Sequence, residues 1–297
     1  MGKIVNIYTA MNGVGLEQDY YLLKSMFEAK GYEVKYQDYH RKTPQVFKCD
    51  IAVHLEVPRY ELISLAPRNV LIPNPEWFFH SWLSKLRAFD EIWCKTDDTL
   101  QIFSKYHSNC IFTSFTCRDL FLPNIRKTDN FIHVQGKSVM KGTRQILNVF
   151  NSGECGNLYF CSKIDTTNND HIINAGYLSG DDFHKLFNAC LIHLCPSLYE
   201  GFGLYIWEAM SAGNVVLTTN HKPMSDFIQD KRYLVEVDEP YKHHLGTLRV
   251  PKEADLLMKI KLLKSMQTDE LKAIGMLNRE RYLTNDKFFR NKINNLI

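Results

Sequence analysis

Two glutamates separated by seven residues have the chemistry and the spacing to bind a polar ligand. Glu200 follows a short apolar run and precedes Gly201, Phe202 and Gly203, and Glu208 lies within an apolar, helix-like run. Burial of a carboxylate without a hydrogen-bond partner is costly, and the hydroxyl groups of a ligand would supply that partner. The simpler alternative is that both carboxylates face water. The coincidence of glycines, two carboxylates and flanking strand-like runs favours a ligand site.

The second candidate is a run of glycines and lysines, HVQGKSVMKGTRQIL, that starts at residue 133. Gly136 and Lys137 follow a predicted strand, and Lys141 and Gly142 precede a predicted helix. Glycines let the backbone approach a phosphate, and a helix N-terminus with two ammonium groups attracts an anion. The residue order is not that of a P-loop, and a strand-to-helix turn with solvated lysines is the alternative. Together with the Glu200 segment, the run favours a diphosphate site.

A third loop with glycines follows the first predicted strand, Lys3 to Tyr8. Gly13 and Gly15 form part of a dinucleotide-binding fingerprint, but Gln18 stands at the position of its third glycine. A tight strand-to-helix turn is the simpler interpretation. Because ligands of parallel α/β sheets bind at the carboxyl ends of strands, we expect this loop to lie against the ligand cleft.

The elements that carry these motifs are short β-rich runs alternating with helical patterns, which is typical of parallel α/β architecture. The polar stretch from Leu122 to Asn130 is predicted to be a linker, after which the alternation restarts. One helix is predicted over Trp77–Leu86. The predicted domains are residues 1–122 and 123–285, and a C-terminal helix at 286–297 is expected to return to the first domain. Two facing Rossmann-like domains would form a cleft between them.

Composition excludes several classes of protein. The 297 residues are 45% hydrophobic and 23% charged, as in soluble globular proteins. A net charge of +3 is too mild for a nucleic-acid partner, and no apolar run reaches membrane-spanning length. The eight cysteines form no C-x-x-C pair and predict reduced thiols in the cytoplasm. Asp97–Asp98 and Asp181–Asp182 are predicted to cap helices, so no metal is expected.

The segment from residue 197 to 219 resembles the signature of retaining GT-B glycosyltransferases, specifically glycosyltransferase family 4. The elements EGFG, EAM, SAG and NVV stand in the family's order, with Asn214 where the family usually has proline. HVQGKSVMKG is similar to the family's phosphate loop, and AGYLSGDDFHKLFNACLIHLCPS to its run from the base-binding loop to the first glutamate. The compact length is similar to that of virus-encoded members, for which the location would be the host cytoplasm.

The resemblance implies a GT-B fold and a hexose transferred from a UDP- or GDP-sugar with retention of configuration, without metal or cofactor. It implies that Glu200 orients the sugar and that Lys137 and Lys141 neutralise the diphosphate as catalytic residues. Glu208 would hold the ribose. It also implies that Gly201, Phe202, Gly203 and Leu204 contact the donor. The other predicted donor-binding residues are Gly136, Gly13, Gly15 and Tyr177.

The acceptor is expected to bind the N-terminal domain at the loop IPNPEWFFHSW, which starts at residue 72. Asn74, Glu76 and Trp77 would contact a glycan, glycoprotein or lipid acceptor, since aromatic faces and polar groups suit sugars. The alternative is a rigid turn with Trp77 and Phe78 in the core. Two other functions stay open, a sugar-nucleotide 2-epimerase and a non-catalytic nucleotide-sugar-binding protein. The incomplete glycine fingerprint makes an NAD oxidoreductase less favoured.

Overall fold

The computed structural model describes residues 2–13, 15–40, 47–163 and 169–297, which form two compact units. The first unit comprises Met1–Cys117, Lys242–Thr247 and Asn285–Ile297, and the second comprises Arg118–Tyr241 and Leu248–Thr284. Each unit contains its own parallel six-stranded sheet with helices. The predicted α/β class is therefore confirmed.

The sheet of the first unit has the strand order β2-β1-β3-β4-β5-β6. Its central strands are buried along most of their length, as is typical of parallel sheets, in which both faces are covered. The chain leaves β1 towards β2 on one side and later adds β3 on the other, so the switch point of this sheet lies at the carboxyl ends of β1 and β3. The elements are β1 (Lys3–Thr9), α1 (Gly15–Ala29), β2 (Tyr32–Asp38), β3 (Ile51–Leu55), β4 (Arg68–Ile72), β5 (Glu91–Cys94), α2 (Asp97–Phe103) and β6 (Cys110–Phe112).

The sheet of the second unit has the strand order β12-β11-β10-β7-β8-β9, the doubly wound order of a Rossmann fold. Its switch point lies between β7 and β10. The elements are β7 (Thr128–Val134), α3 (Thr143–Asn151), β8 (Leu158–Cys161), β9 (Ile172–Asn174), α4 (Gly180–Ala189), β10 (Cys190–Cys195), α5 (Leu204–Ser211), β11 (Val215–Thr219), α6 (Met224–Phe227) and β12 (Leu234–Val235).

The rest of the chain is shared between the two units. The strands β13 (Tyr241–His243) and β14 (Gly246–Leu248) form a two-stranded sheet whose residues 242–247 belong to the first unit. Helix α7 (Glu253–Ser265) lies in the second unit. Helix α8 (Thr268–Leu296) contributes its residues from Asn285 onwards to the first. No helix in the described ranges is long and apolar enough to span a membrane.

Two expectations about local structure are wrong. The stretch from Leu122 to Asn130 is not a linker throughout, because strand β7 already begins at Thr128. The region of Trp77–Leu86 is not one α-helix but two 3₁₀ helices, Pro75–Trp77 and His80–Ala88. Aromatic side chains lose rotamer freedom in an α-helix, and this region is rich in them.

The residues before β7 are fixed to the second unit by a buried ammonium group. Lys127 Nζ donates hydrogen bonds to the carbonyl oxygens of Asn188, at 3.2 Å, and Ala212, at 2.9 Å, and to Oδ1 of Asn214. Burial lowers the pKa of Lys127 to about 8. Asn214 thus has a structural role in this chain that a proline at the same position could not fill.

Candidate functional site

The two motifs of the second unit meet at the switch point of its sheet. The loop with Gly136 and Lys141 follows β7, and the loop with Glu200 follows β10, which is the neighbour of β7. Ligands of doubly wound sheets bind in the crevice at the carboxyl ends of two such strands. The topology therefore brings together two sequence segments about sixty residues apart.

The centre of this candidate site is an ion pair between Lys141 and Glu200. Lys141 Nζ lies 2.6 Å from Glu200 Oε1, and the two side chains are 15% and 13% exposed. The same oxygen accepts a hydrogen bond of 2.5 Å from Ser197 Oγ. Because an ammonium group has three donors, Lys141 can contact Glu200 and a further anion at the same time.

Tyr205 completes this network from the first turn of α5. Its hydroxyl lies 2.7 Å from Ser197 Oγ, and Lys141 Nζ lies 3.7 Å from the centre of its ring. Burial raises the pKa of Tyr205 well above its ordinary value, so the phenol stays neutral. Neither Ser197 nor Tyr205 was predicted as a site residue, although both lie within the segment from residue 197 to 219 that resembles the family signature.

The loop from Glu200 to Gly203 leads directly into α5. Gly203 adopts a left-handed φ of 79° and precedes the first helical residue, Leu204. The rings of Phe202 and Trp207 stack, with centroids 5.9 Å apart and planes at 3°. Gly201 is buried beside them. This packing fixes the start of α5 at the switch point, where helix N–H groups attract negative charge.

Glu208 lies in α5 and is only 8% exposed, and its apolar neighbours along the helix are also buried. A buried carboxylate needs polar partners. The position therefore agrees with the sequence analysis, and the role of Glu208 toward a ribose stays a prediction.

The loop after β7 is shaped by glycine and by a buried histidine. Gly142 has a left-handed φ of 67° and precedes α3. His133, at the end of β7, lies 2.8 Å from the carbonyl oxygen of Leu194 through Nδ1 and 2.8 Å from Thr143 Oγ1 through Nε2. Burial lowers the pKa of His133 to about 4. The neutral imidazole thus ties the start of α3 to β10.

The other residues predicted for the donor lie at the edge of this region or in the first unit. Lys137 is exposed, next to Gly136, which has a left-handed φ of 62°. Tyr177 is 51% exposed, and Lys163 Nζ lies 4.6 Å from the centre of its ring. Tyr177 is not among the residues of the network around Glu200 described above.

In the first unit, the loop after β1 contains a turn in which the N–H group of Gly13 is engaged by a side chain of α1. Gly13 has a φ of 71°, and its N–H donates to Glu17 Oε2 at 2.9 Å. Gly15 is the first residue of α1. Val14 lies outside the described residues.

The three residues predicted for the acceptor differ in their surroundings. Asn74 is half-buried and donates through Nδ2 to Glu56 Oε1 at 3.0 Å. Glu76 is 6% exposed, and its backbone lies against Gly246. Trp77 is 43% exposed, and its ring meets that of His243 edge-on at 6.0 Å. The structure thus adds Glu56 as a polar partner of Asn74.

In the described part of the chain, no three His, Cys, Asp or Glu side chains are grouped so that they could hold a metal ion. Asp97 and Asp98 lie in the first turn of α2, and Asp181 and Asp182 lie in the first turn of α4. Both pairs occupy positions where a carboxylate interacts favourably with the helix dipole.

The architecture of two parallel α/β units recurs in solved structures of low sequence identity. The structure matches that of a sucrose-phosphate synthase from Thermosynechococcus elongatus with a TM-score of 0.75, at 11% identity over 99% of this chain and 98% of that one. The chain therefore has the GT-B fold, as the sequence analysis expected.

The sequence of the second unit also matches a known family. Residues 139–245 match the family described as "Glycosyl transferases group 1". The serotype-specific mannosyltransferase WbdA of Escherichia coli is 40% identical over 57 residues, 19% of this chain. The O-antigen chain mannosyltransferase B of the same species is 35% identical over 77 residues, 25% of this chain. The matches span 7% and 20% of the lengths of these relatives. The resemblance to GT-B glycosyltransferases is thereby confirmed.

Proposed function

We propose that this protein transfers a hexose from a nucleotide-sugar to a hydroxyl acceptor, with retention of the anomeric configuration and without a metal ion. The observation that carries the proposal is the Lys141–Glu200 pair at the switch point of the second unit, 2.6 Å apart. The sequence match over residues 139–245, which includes both residues, supports glycosyl transfer. The names of the two curated relatives make mannose the first sugar to test.

The proposed reaction breaks the bond between the anomeric carbon and the diphosphate oxygen, and the electron pair leaves with the diphosphate. The acceptor oxygen forms its new bond to the anomeric carbon on the same face, and its proton passes to an oxygen of the departing phosphate. Negative charge develops on the leaving group, and a preorganised cation stabilises that charge most when water is excluded. Lys141 would supply this cation, with Lys137 and the N–H groups at the start of α3 in support.

Glu200 would orient the transferred sugar by accepting a hydrogen bond from one of its hydroxyl groups. Ser197 and Lys141 hold the Glu200 carboxylate through one oxygen. The other oxygen would accept the sugar hydroxyl. Glu208 would bind the ribose, so that the sugar and the nucleoside each meet one of the two carboxylates.

The experiment is a donor-turnover assay with GDP-mannose, UDP-glucose and UDP-galactose. Transfer or slow hydrolysis releases a free nucleoside diphosphate, and NMR of the product gives its anomeric configuration. Release of a product with the configuration of the donor is the expected result. An intact sugar-nucleotide with altered configuration at C2 would instead identify an epimerase. Tight nucleotide-sugar binding without turnover would identify a binding protein.

A further inference from the structure

The residue that follows β3 has a backbone conformation that only glycine adopts without strain. Glu56 has a φ of 65°, one of three positive values among the described residues other than glycine. The left-handed region is costly for a residue with a Cβ atom, and such strain tends to persist where function requires the side chain. Glu56 lies directly after Leu55, the last residue of β3. It therefore stands at the switch point of the first sheet.

The side chain of Glu56 is held by the loop that follows β4, the strand next to β3. Asn74, two residues beyond the end of β4, donates through Nδ2 to Glu56 Oε1 at 3.0 Å. The two oxygens of this pair that lack a hydrogen bond, one on each side chain, are acceptors. Asn74 Oδ1 is buried and accepts no hydrogen bond from any described residue. Glu56 Oε2 likewise has no hydrogen bond within the described ranges. A ligand that reaches Glu56 Oε2 must therefore donate a hydrogen bond.

The cation whose charge acts on Glu56, Lys95, is paired with another carboxylate. Lys95 Nζ lies 2.6 Å from Asp19 Oδ2, and both side chains are almost fully buried. Burial raises the pKa of Glu56, while the bond from Asn74 and the charge of Lys95 act in the opposite direction. With Lys95 paired to Asp19, Glu56 has no ion-pair partner of its own in the described structure. Hydroxyl groups, which are neutral donors, match this environment.

We propose that Glu56, held in place by Asn74, binds a hydroxyl group of the sugar acceptor at the switch point of the first unit. The proposal rests on the proposed glycosyl transfer and assigns the acceptor to a definite side chain. Glu56 is a substrate-positioning residue here, since its carboxylate accepts a hydrogen bond from the sugar. The left-handed backbone at residue 56 would suit a glycine, and the strain arises because a residue with a carboxylate side chain stands there.

The experiment measures binding of simple glycosides to the whole protein. Methyl α-D-mannopyranoside and methyl α-D-glucopyranoside are titrated against wild type, Glu56→Gln and Glu56→Gly, with binding followed by ligand-observed NMR. At least one glycoside is expected to bind wild type and to bind both variants at least tenfold more weakly. The matched control is Glu61→Gln, which removes a carboxylate that is 54% exposed in the same unit. This variant is expected to bind as wild type does.

Melting temperatures separate a binding role from a structural one. Glu56→Gly relieves the left-handed strain, so its melting temperature is expected to equal or exceed that of wild type while glycoside binding is lost. Failure of wild type to bind either glycoside, or unchanged binding by the variants, would overturn the proposal. So would a melting temperature of Glu56→Gly far below that of wild type, because Glu56 would then be structural.

Donor turnover distinguishes this proposal from the proposed function. Glycoside binding that depends on Glu56, without turnover of any donor, would leave the subsite standing and refute the transferase. If a donor is turned over and the Glu56 variants bind the glycoside as well as wild type does, the subsite alone is refuted. Binding of Mg²⁺ or Ca²⁺ that depends on Glu56, without binding of either glycoside, would mean that Glu56 binds a cation. That result would also overturn the proposal.

Discussion

Gly142 lies so close to Pro196 that a Cβ atom at residue 142 would stand 2.1 Å from the carbonyl oxygen of Pro196. Real Cβ atoms do not approach a backbone oxygen so closely, so the loop after β7 and the loop after β10 can meet only through a glycine. This contact places Lys141 next to the segment that carries Glu200.

The first prediction concerns the stability that depends on this contact. Gly142→Ala is expected to lower the free energy of unfolding by about 2–4 kcal/mol, from the left-handed φ and the backbone clash together. Gly136→Ala is the matched control, because Gly136 has a similar φ of 62° and no described atom within 4 Å of its Cβ position. Its expected cost is about 1 kcal/mol. Urea denaturation of both variants measures the difference, and equal values would contradict the steric explanation.

The second prediction separates the roles of the two glutamates. Glu200→Gln is expected to reduce transfer by at least about a hundredfold while nucleotide affinity stays close to that of wild type. Glu208→Ala is expected to weaken nucleotide binding by about 10- to 100-fold, since a hydrogen bond to a charged group is lost. Calorimetric titration with UDP and GDP, together with the turnover assay, tests both. Wild-type turnover by Glu200→Gln would refute its role.

The third prediction compares the two lysines. Lys141→Met is expected to lower kcat by about 100- to 1,000-fold, because one preorganised charge is lost from the leaving group. Lys137→Met is expected to have a smaller effect, since Lys137 is exposed and solvent screens its charge. Steady-state kinetics of both variants show which substitution lowers kcat more. A larger loss for Lys137→Met would mean that the exposed lysine carries the diphosphate.

The fourth prediction concerns metal ions. Turnover is expected to persist in excess EDTA, because Lys141 and the N–H groups of the phosphate loop would carry the diphosphate charge. The assay is repeated with added MgCl₂ and MnCl₂. Loss of turnover in EDTA that either salt restores would assign the diphosphate to a divalent cation.

The fifth prediction concerns pH. His133 is neutral in the folded protein, with a pKa of about 4 against an ordinary value of 6.5. Between these values the unfolded chain binds a proton that the folded chain does not, so stability is complete above pH 6.5 and falls as the pH approaches 4. The loss reaches up to about 3 kcal/mol for this one group. Denaturation at pH 7, 6, 5 and 4 measures it, and His133→Gln is expected to show a shallower fall.

The local motifs of the second unit were predictable because each lies in one short segment. The glycines and glutamates from residue 200 to 208 define a loop and a helix by themselves, and the parallel α/β pattern places that loop at a strand end. The Lys141–Glu200 contact needs the strand order, in which β10 lies beside β7. That order follows from packing across the whole unit.

Glu56 could not be assigned from sequence, although an acidic residue directly after a predicted strand is a visible signal. Its bond to Asn74 joins two residues eighteen positions apart, and it depends on the adjacency of β3 and β4. The 3₁₀ helices before β5 and the entry of residues 242–247 into the first unit are likewise set by tertiary packing. Propensity is a weak guide where packing decides.

The division of α8 between the two units has a consequence for the order of folding during synthesis. Phe289 and Ile293 are fully buried in the first unit, and the ring of Phe289 lies 4.8 Å from that of Phe115. Domains generally fold in the order in which they leave the ribosome. Here the sheet that is translated first lacks part of its core until residues 285–297 emerge, so the unit translated first is the last to be completed.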